Sequence, residues 1–183
     1  MRKLIAFELV SLDGVVGAPD EWAFFYSDEE MDKEVAAGMD VSDALLLGRA
    51  TYEEFASFWP NQPGGTQMVD YINSVRKYVV STTLQEPLEW NNSTLIQGDV
   101  AEEIAILKEQ PGKNITITGS ITLVRSLLKA GLLDELQLMV HPVVLGGGRR
   151  LFEDGGDREV LELVGSKTFG TGVVSLVYRP SSG

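Results

Sequence analysis

The segment from Asn114 to Gly131 most constrains what this 183-residue chain can fold into. Residues 115–118 are apolar and β-branched, which is typical of a short buried strand. Gly119-Ser120 ends that run, and apolar residues then recur at helical spacing over about ten positions. Ser120 is a candidate N-cap and Gly131 a candidate C′ glycine. The segment therefore predicts a strand, a glycine turn and a helix.

A turn of this kind can hold an anion, because glycine lets a phosphate approach the backbone while the free N–H groups and the helix dipole point at it. One such turn alone is more typical of a plain βα connection. However, small polar residues also follow two other predicted strands, at 48–51 and 81–83. In a parallel sheet these turns share the carboxyl edge, where ligands bind. Arg49 can bind a phosphate through two hydrogen bonds, so the three turns together fit a long phosphate-bearing ligand.

Predicted strands and helices alternate along the chain. The strands are 3–11, 43–47, 77–81, 93–96, 115–118 and 136–145, with helices beginning near residues 28, 49, 100 and 120. Residues 160–169 and 173–178 form a closing hairpin around Gly170-Thr171-Gly172. This order predicts one α/β domain over residues 1–180, with a mostly parallel central sheet, helices on both faces and a C-terminal antiparallel hairpin. We expect residues 181–183 to be a disordered tail.

Composition excludes several classes of function. The chain has no cysteine, which rules out disulfides and thiolate chemistry. Its net charge of -12 argues against nonspecific binding to nucleic acid or to an anionic membrane. We see no leader-like segment and no apolar stretch of about 20 residues, so we expect a cytoplasmic protein without a membrane partner. The single histidine, His141, argues against a metal site, and we expect it to be a hydrogen-bonded structural residue.

Five motifs occur in an order that resembles the dihydrofolate-reductase-like family, particularly the branch with the reductase domain of the bifunctional riboflavin-biosynthesis enzyme. They span nearly the whole chain. The motifs are Ser11-Leu12-Asp13-Gly14, Leu47 to Glu53, Val80 to Leu84, Gly119-Ser120 with Leu123-Val124, and Gly131 to Glu135 continuing through His141 to Phe152. The resemblance implies an NADPH-binding fold, a homodimer, and hydride transfer to a small flat nitrogenous heterocycle of the pterin, pyrimidine or flavin-precursor type.

The resemblance also implies which residues bind NADPH. Phosphates would be held at a helix start by Gly48, Arg49 and Thr51. The adenosine 2′-phosphate or the adenine would lie near Ser81, Thr82 and Thr83. The pyrophosphate would be cradled by Gly119, Ser120 and Ile121, with Leu123 packing nearby. The nicotinamide would be approached by Val16.

The proton that accompanies hydride transfer has two candidate donors in this chain, Asp13 and Glu8. A carboxyl group in a dry pocket has a raised pKa and can relay a proton. Asp13 is equally suited to capping its turn. Glu8 lies in the middle of the first strand, where a solvated or hydrogen-bonded structural role is favoured. Direct protonation by water is the third alternative.

Trp22 begins an aromatic run, residues 22–26, in a predicted loop. Aromatic residues belong to the core by default, but this run can also form an apolar wall for a flat substrate, so Trp22 is a candidate substrate-binding residue. Residues 19–25 offer no clear match for the acid with which dihydrofolate reductases hold their pterin. That departure motivates an alternative function, a non-catalytic NADP(H)- or nucleotide-binding protein that kept the fold without the reaction.

Overall fold

The central strands are continuous apolar runs, as expected for strands buried on both faces. In the computed structural model, which describes residues 1–181, residues 44–47 are all buried. The strands are β1 (Leu4–Ser11), β2 (Ser42–Gly48), β3 (Arg76–Val80), β4 (Ser93–Ile96), β5 (Asn114–Ile117), β6 (Glu135–His141), β7 (Leu161–Thr168) and β8 (Val174–Pro180). Of the predicted tail, residues 182–183 lie outside the described residues, and the Ser181 N–H donates to the Val160 carbonyl at 2.9 Å.

Four of the five α-helices of the described residues begin at a side-chain cap. They are α1 (Glu29–Asp40), α2 (Arg49–Phe58), α3 (Gln67–Ser74), α4 (Val100–Glu109) and α5 (Ile121–Lys129). The side chains of Asp28, Thr66, Asp99 and Ser120 accept hydrogen bonds from first-turn N–H groups. The short helix α3 is the one that the sequence analysis missed. None of the helices within residues 1–181 is long and apolar enough to cross a membrane.

The sheet has eight strands in the order β4-β3-β2-β5-β1-β6-β8-β7. Strands β1 to β6 are parallel, whereas β8 is antiparallel to both β6 and β7. This arrangement confirms the predicted α/β class with its closing antiparallel hairpin. The predicted strand 136–145 was too long, since β6 ends at His141 and Pro142 cannot donate to a ladder.

The direction of each crossover decides which face a helix covers. The chain moves outward from β1 through β2 and β3 to β4, then reverses to β5 and continues to β6. Because such crossovers are right-handed, α1 to α3 cover one face and α4 and α5 the other. The core agrees, since Ile104 and Val124 pack in one cluster while Tyr52 and Ile72 pack in another. Neighbouring strands β2 and β5 are thus followed by helices on opposite faces.

Candidate functional site

The turns after β2 and β5 are in direct contact at this reversal of strand order, where open α/β sheets form a ligand crevice. The Gly48 N–H donates to the Gly119 carbonyl at 3.3 Å. A Cβ on Gly48 would lie 2.6 Å from Ser120 Oγ, and a Cβ on Gly119 would lie 2.8 Å from Thr51 Oγ1. The structure therefore brings four of the predicted cofactor residues together, and the two glycines are required by their close approach.

The start of α5 offers unpaired donors to this crevice. Ser120 Oγ accepts a hydrogen bond from the Leu123 N–H at 3.3 Å, while the first N–H groups of a helix have no partner within it and lie at its positive end. Just before the turn, Thr118 Oγ1 is buried and has no hydrogen-bond partner among residues 1–181. The turn thus has both free donors and an orphaned hydroxyl, which are groups that a polar ligand satisfies.

Arg49 is the first residue of α2 and lies beside this crevice. Its Nη1 donates to both carboxylate oxygens of Glu53, at 3.3 Å and 3.1 Å, and both side chains are about half exposed. An exposed i,i+4 pair of this kind contributes only about 0.3–0.5 kcal/mol. The guanidinium can therefore exchange this carboxylate for a phosphate at little cost.

The hydroxyl cluster after β3 lies one strand further along the same edge, because β3 pairs with β2. Ser81 Oγ accepts hydrogen bonds from the N–H groups of Thr83 and Leu84, at 3.1 Å and 3.0 Å. Ser81 is buried and closes the turn, whereas Thr82 and Thr83 are exposed. The three predicted turns consequently follow three adjacent strands, β3, β2 and β5.

Val16, Ile121 and Leu123 contribute apolar surface behind these turns. All three side chains are buried in one hydrophobic cluster on the α5 side of the sheet. Ile121 and Leu123 can therefore face a ligand through their backbone rather than through their side chains. The Val16 N–H donates to the Arg149 carbonyl at 2.8 Å, which fixes the loop after β1 over this cluster.

Arg149 is a residue of this region that the sequence analysis did not assign. Its Nη2 donates to Thr122 Oγ1 at 3.1 Å, so the guanidinium lies across the first turn of α5. The neighbouring Arg150 pairs with Val15 in an isolated antiparallel bridge. The available signal was a pair of arginines following three glycines in an otherwise acidic chain.

The Asp13 carboxylate is held by donors from two loops. Ser11 Oγ donates to it at 2.6 Å, and the N–H groups of Leu145 and Gly146 donate at 3.1 Å and 2.9 Å. These hydrogen bonds lower the pKa of Asp13 to about 2. Asp13 is therefore ionised at neutral pH, which favours the turn-capping role over proton donation.

Glu8 is 7% exposed, so the expectation of a solvated or hydrogen-bonded carboxylate is wrong. Its Oε1 has no hydrogen-bond partner among the described residues. Burial raises the pKa of Glu8 to about 8, which keeps the group protonated near neutral pH. The physical reason is that β1 is a central strand with both faces covered, and Glu8 lies on the same face as Ala6 and Val10 in the α5-side cluster.

Trp22 anchors its loop to the end of β6 and is only 6% exposed. Its Nε1 donates to the Gly17 carbonyl at 2.9 Å, and its ring packs edge-on against His141 with centroids 5.3 Å apart. Burial lowers the pKa of His141, whose Nδ1 lies 2.8 Å from the Met139 carbonyl oxygen. The exposed rings of the aromatic run belong to Phe24 and Phe25, at 63% and 82%.

The comparisons with known proteins agree with this architecture. The model of the RibD C-terminal domain matches residues 2–175. The chain belongs to the RibD C-terminal domain family. The uncharacterized protein YyaP of Bacillus subtilis (strain 168) is similar in sequence. It is 34% identical over 184 residues, which cover 97% of this chain and 95% of YyaP. The family resemblance stated from the motifs is therefore confirmed.

Two solved structures share the fold of this chain. A putative riboflavin biosynthesis protein from Shewanella sp. PV-4 has a TM-score of 0.78 at 24% identity, covering 98% of this chain and 99% of that one. Dihydrofolate reductase from Enterococcus faecalis, in complex with NADP(H), has a TM-score of 0.61 at 18% identity, covering 98% and 97%. The chain thus has the dihydrofolate-reductase-like fold that its motifs predicted.

Proposed function

We propose that this protein is an NADPH-dependent reductase that transfers a hydride to a small flat nitrogenous heterocycle of the pterin, pyrimidine or flavin-precursor type. The main support for this proposal is the contact between the turns after β2 and β5, which leaves no space for a Cβ at Gly48 or Gly119. Such a crevice brings phosphates close to two helix starts. Membership of the RibD C-terminal domain family and the NADP(H) complex of the similarly folded Enterococcus faecalis enzyme support the same ligand class.

The residues present fit a dinucleotide laid along the carboxyl edge. We assign the pyrophosphate to residues 119–121, the 2′-phosphate to residues 48–51 and the adenine to residues 81–83. The nicotinamide end then lies toward Val16. Bound NADPH supplies the hydride, while the protein binds and orients both reactants.

We propose that Glu8 donates the proton that accompanies hydride transfer. It is protonated near neutral pH, whereas Asp13 is ionised and engaged by two loops. Glu8 also lies on the face of β1 that packs toward the cluster containing Val16. We propose that Trp22 positions the loop of residues 22–26. The exposed rings of Phe24 and Phe25 then offer an apolar surface to the substrate ring.

Titration with NADPH, followed by fluorescence or calorimetry, tests the proposal. We expect saturable binding, and we expect Arg49→Ala to weaken NADPH about tenfold or more while affecting NADH less, because only NADPH has the 2′-phosphate. Lys33→Ala is the matched control, since Lys33 also forms an exposed i,i+4 pair, with Glu29 at 2.7 Å. Absence of saturable NADPH binding would refute the proposal, and equal losses for both coenzymes would remove Arg49 from the 2′-phosphate.

The alternative is a non-catalytic NADP(H)- or nucleotide-binding protein with the same fold. One observation favours it: the carboxylate of Asp13, the acid in the loop after β1, already accepts hydrogen bonds from the N–H groups of Leu145 and Gly146 and so does not serve as a proton donor. The two functions separate on turnover. Oxidation of NADPH with any member of a pterin, pyrimidine and flavin-precursor panel would exclude the alternative.

The homodimer implied by the family resemblance stays a prediction. β7 is the terminal strand of the sheet, and its Leu163 and Val164 side chains are exposed. An exposed strand edge with apolar side chains is suited to pairing with another copy.

A further inference from the structure

A polar cavity of about 650 Å³ lies at the amino edge of the sheet, at the opposite end of the strands from the proposed coenzyme crevice. Its wall contains the first residues of three neighbouring strands, Ser42 of β2, Arg76 of β3 and Ser93 of β4. Tyr71 of α3 and Thr94 also line it. The volume falls within the range of small-molecule sites.

Two hydroxyl groups of this wall lack partners. The oxygen atoms of Tyr71 and Ser93 are fully buried, and neither has a hydrogen-bond partner among residues 1–181. The Ser42 hydroxyl donates to the Asn114 carbonyl at 3.0 Å and lies close enough to the Tyr71 hydroxyl to oppose the effect of burial on the pKa of Tyr71. Because a buried hydroxyl without a partner costs free energy, an occupant that accepts or donates hydrogen bonds here is stabilised.

The wall is positively charged, although the chain as a whole has a net charge of -12. Arg76 is exposed and belongs to no ion pair within the described part of the chain, and its Nη1 lies 3.4 Å from Tyr78 Oη, to which it donates. The one carboxylate of the wall, Asp43, is paired with Arg2 and also accepts the Lys113 N–H at 3.0 Å. The charge of Asp43 also acts on Arg76 and contributes to its raised pKa, but Arg76 forms no ion pair among the described residues and is the guanidinium of the wall that can pair with an anion.

The nearby C-terminus of α3 would repel an anion if its carbonyls were free. They are not, because the Lys77 ammonium donates to the carbonyls of Asn73 and Val75 at 3.3 Å and 2.9 Å. The Asn92 amide donates to the Ser74 carbonyl at 2.9 Å. The protein's own donors have thus satisfied the negative end of this helix.

We propose that this cavity binds a small molecule through an oxyanion group, either a phosphate or a carboxylate. The Arg76 guanidinium pairs with the anion, and the hydroxyls of Tyr71 and Ser93, which lie beneath the cavity surface, turn toward it to donate hydrogen bonds. The site is independent of the coenzyme crevice, since β2 and β3 run their full lengths between the two. Its ligand is therefore a second molecule and not part of the coenzyme.

The test is a titration of the full chain with inorganic phosphate, and separately with succinate, at constant ionic strength, followed by amide NMR shifts. We expect saturable shifts at residues 71–76 and 92–94. The anion that gives the lower Kd identifies the phosphate or the carboxylate class. Arg76→Ala should weaken that binding at least tenfold, because a charge-assisted hydrogen bond is lost. Arg158→Ala is the control, since Arg158 is an exposed arginine outside the cavity, and its Kd should equal that of the wild type.

Two further variants keep the test decisive. Tyr71→Phe combined with Ser93→Ala retains the charge and removes both orphaned hydroxyls, and it should raise the Kd several-fold. Arg76→Gln serves if thermal melting shows that Arg76→Ala does not fold. Failure of both anions to give saturable shifts would leave water as the occupant and overturn the proposal, as would an unchanged Kd in the Arg76 variant. NADPH binding by these variants reports separately on the crevice at the other edge.

Discussion

The two edges of the sheet treat their polar groups in opposite ways. At the amino edge, buried cations are paired inside the protein: Arg2 with Asp43, and Lys108 with Asp134 at 2.7 Å. At the carboxyl edge, the turns around Gly48 and Gly119 are packed against each other, while donors at the helix starts face outward. Paired groups stabilise the fold and leave nothing for a ligand. Open donors contribute little to the fold and are available for binding.

The pairing at the amino edge is itself uneven. At the amino ends of β1 and β6 the charged groups are paired: Glu135 forms ion pairs with Lys3 at 2.8 Å and with Arg179 at 3.0 Å. Pairing is incomplete at the amino ends of β3 and β4, where, among the described residues, Arg76 forms no ion pair and the Ser93 hydroxyl has no hydrogen-bond partner. The amino edge thus has a region of paired polar groups and a region of unpaired ones. The unpaired region can bind a ligand, as the carboxyl edge can.

Glu8 and Glu135 show what pairing does to a buried acid. Both are 7% exposed, and they lie on the neighbouring strands β1 and β6. Burial acts to raise the pKa of Glu135, but hydrogen bonds from Lys3 and Arg179 bring it below its ordinary value. Glu8 has no such partner, and burial raises its pKa to about 8. One glutamate is accommodated as an anion and the other as a neutral acid.

The largest expected effect is the pH dependence that Glu8 imposes on stability. Between about pH 4.5 and pH 8 the unfolded chain releases this proton while the folded chain keeps it. The free energy of unfolding should therefore fall as the pH rises through that window, by an amount of the order of 4 kcal/mol, and then level off. Glu8→Gln should remove this fall, which urea unfolding at pH 5 and pH 8 would measure.

Glu135→Gln is the matched control for Glu8→Gln, because its linkage has the opposite sign. The pKa of Glu135 is lowered in the folded chain, so its stabilisation is present above the unfolded pKa and is lost as the pH falls. An unchanged pH profile in Glu8→Gln would contradict a neutral buried acid at this position. Turnover of the same variant reports on the proposed proton: a rate equal to that of the wild type would remove Glu8 from the reaction.

The helices and strands of this chain are easier to predict from its sequence than what surrounds each of them in the fold. The strand, turn and helix of residues 114–131 could be predicted because glycine, cap and periodicity agree locally. The exposure of Glu8 could not be, since alternation along a strand does not reveal that both faces of β1 are covered. Helix α3 was missed because it is short and begins after a polar loop.

The candidate site shows the same limit. The residues of each turn were identifiable from small polar residues after apolar runs, but the contact between Gly48 and Ser120 depends on β2 and β5 being neighbours, which only the sheet order reveals. Trp22 and Phe25 look alike in the sequence. They differ in the structure because the indole of Trp22 finds the Gly17 carbonyl and the His141 ring.

The second largest expected change in the free energy of unfolding comes from a substitution at the amino edge. Asp134 Oδ2 accepts the Leu4 N–H at 2.7 Å and pairs with the largely buried Lys108. Asp134→Ala should lower the free energy of unfolding by about 3 kcal/mol, because it leaves a buried ammonium without a carboxylate. NADPH affinity, measured on the folded variant, should not change.

Asp157→Ala controls for the loss of an ion pair as such, since Asp157 pairs with Lys129, both side chains are largely exposed, and the removal of Asp157 should leave the unfolding midpoint unchanged. A matching loss in both variants would mean that burial at the amino edge does not matter. A loss of coenzyme affinity in Asp134→Ala would break the separation between the two edges.

The smallest effect on stability, and the largest on binding, should come from Gly48→Ala. Gly48 has φ -76°, so alanine is allowed by the backbone, and the obstacle is Ser120, whose Oγ, Cβ and backbone nitrogen would lie 2.6, 2.9 and 3.2 Å from the new Cβ. Overpacking of this kind costs about 1–3 kcal/mol, and forcing the turns apart should weaken NADPH at least tenfold. Gly38→Ala, at a helical glycine with nothing near its Cβ, should leave binding intact.

The double variant Gly48→Ala/Ser120→Gly makes the cause specific. It removes the Ser120 side-chain atoms that the new Cβ would meet, and glycine replaces serine at an N-cap for only a few tenths of a kcal/mol. Recovery of NADPH binding in the double variant would mean that the distance between the two turns is what the coenzyme needs. If the double variant stayed as weak as Gly48→Ala, the two turns would not act as one cradle, and the carboxyl edge would lose the property that distinguishes it from the amino edge.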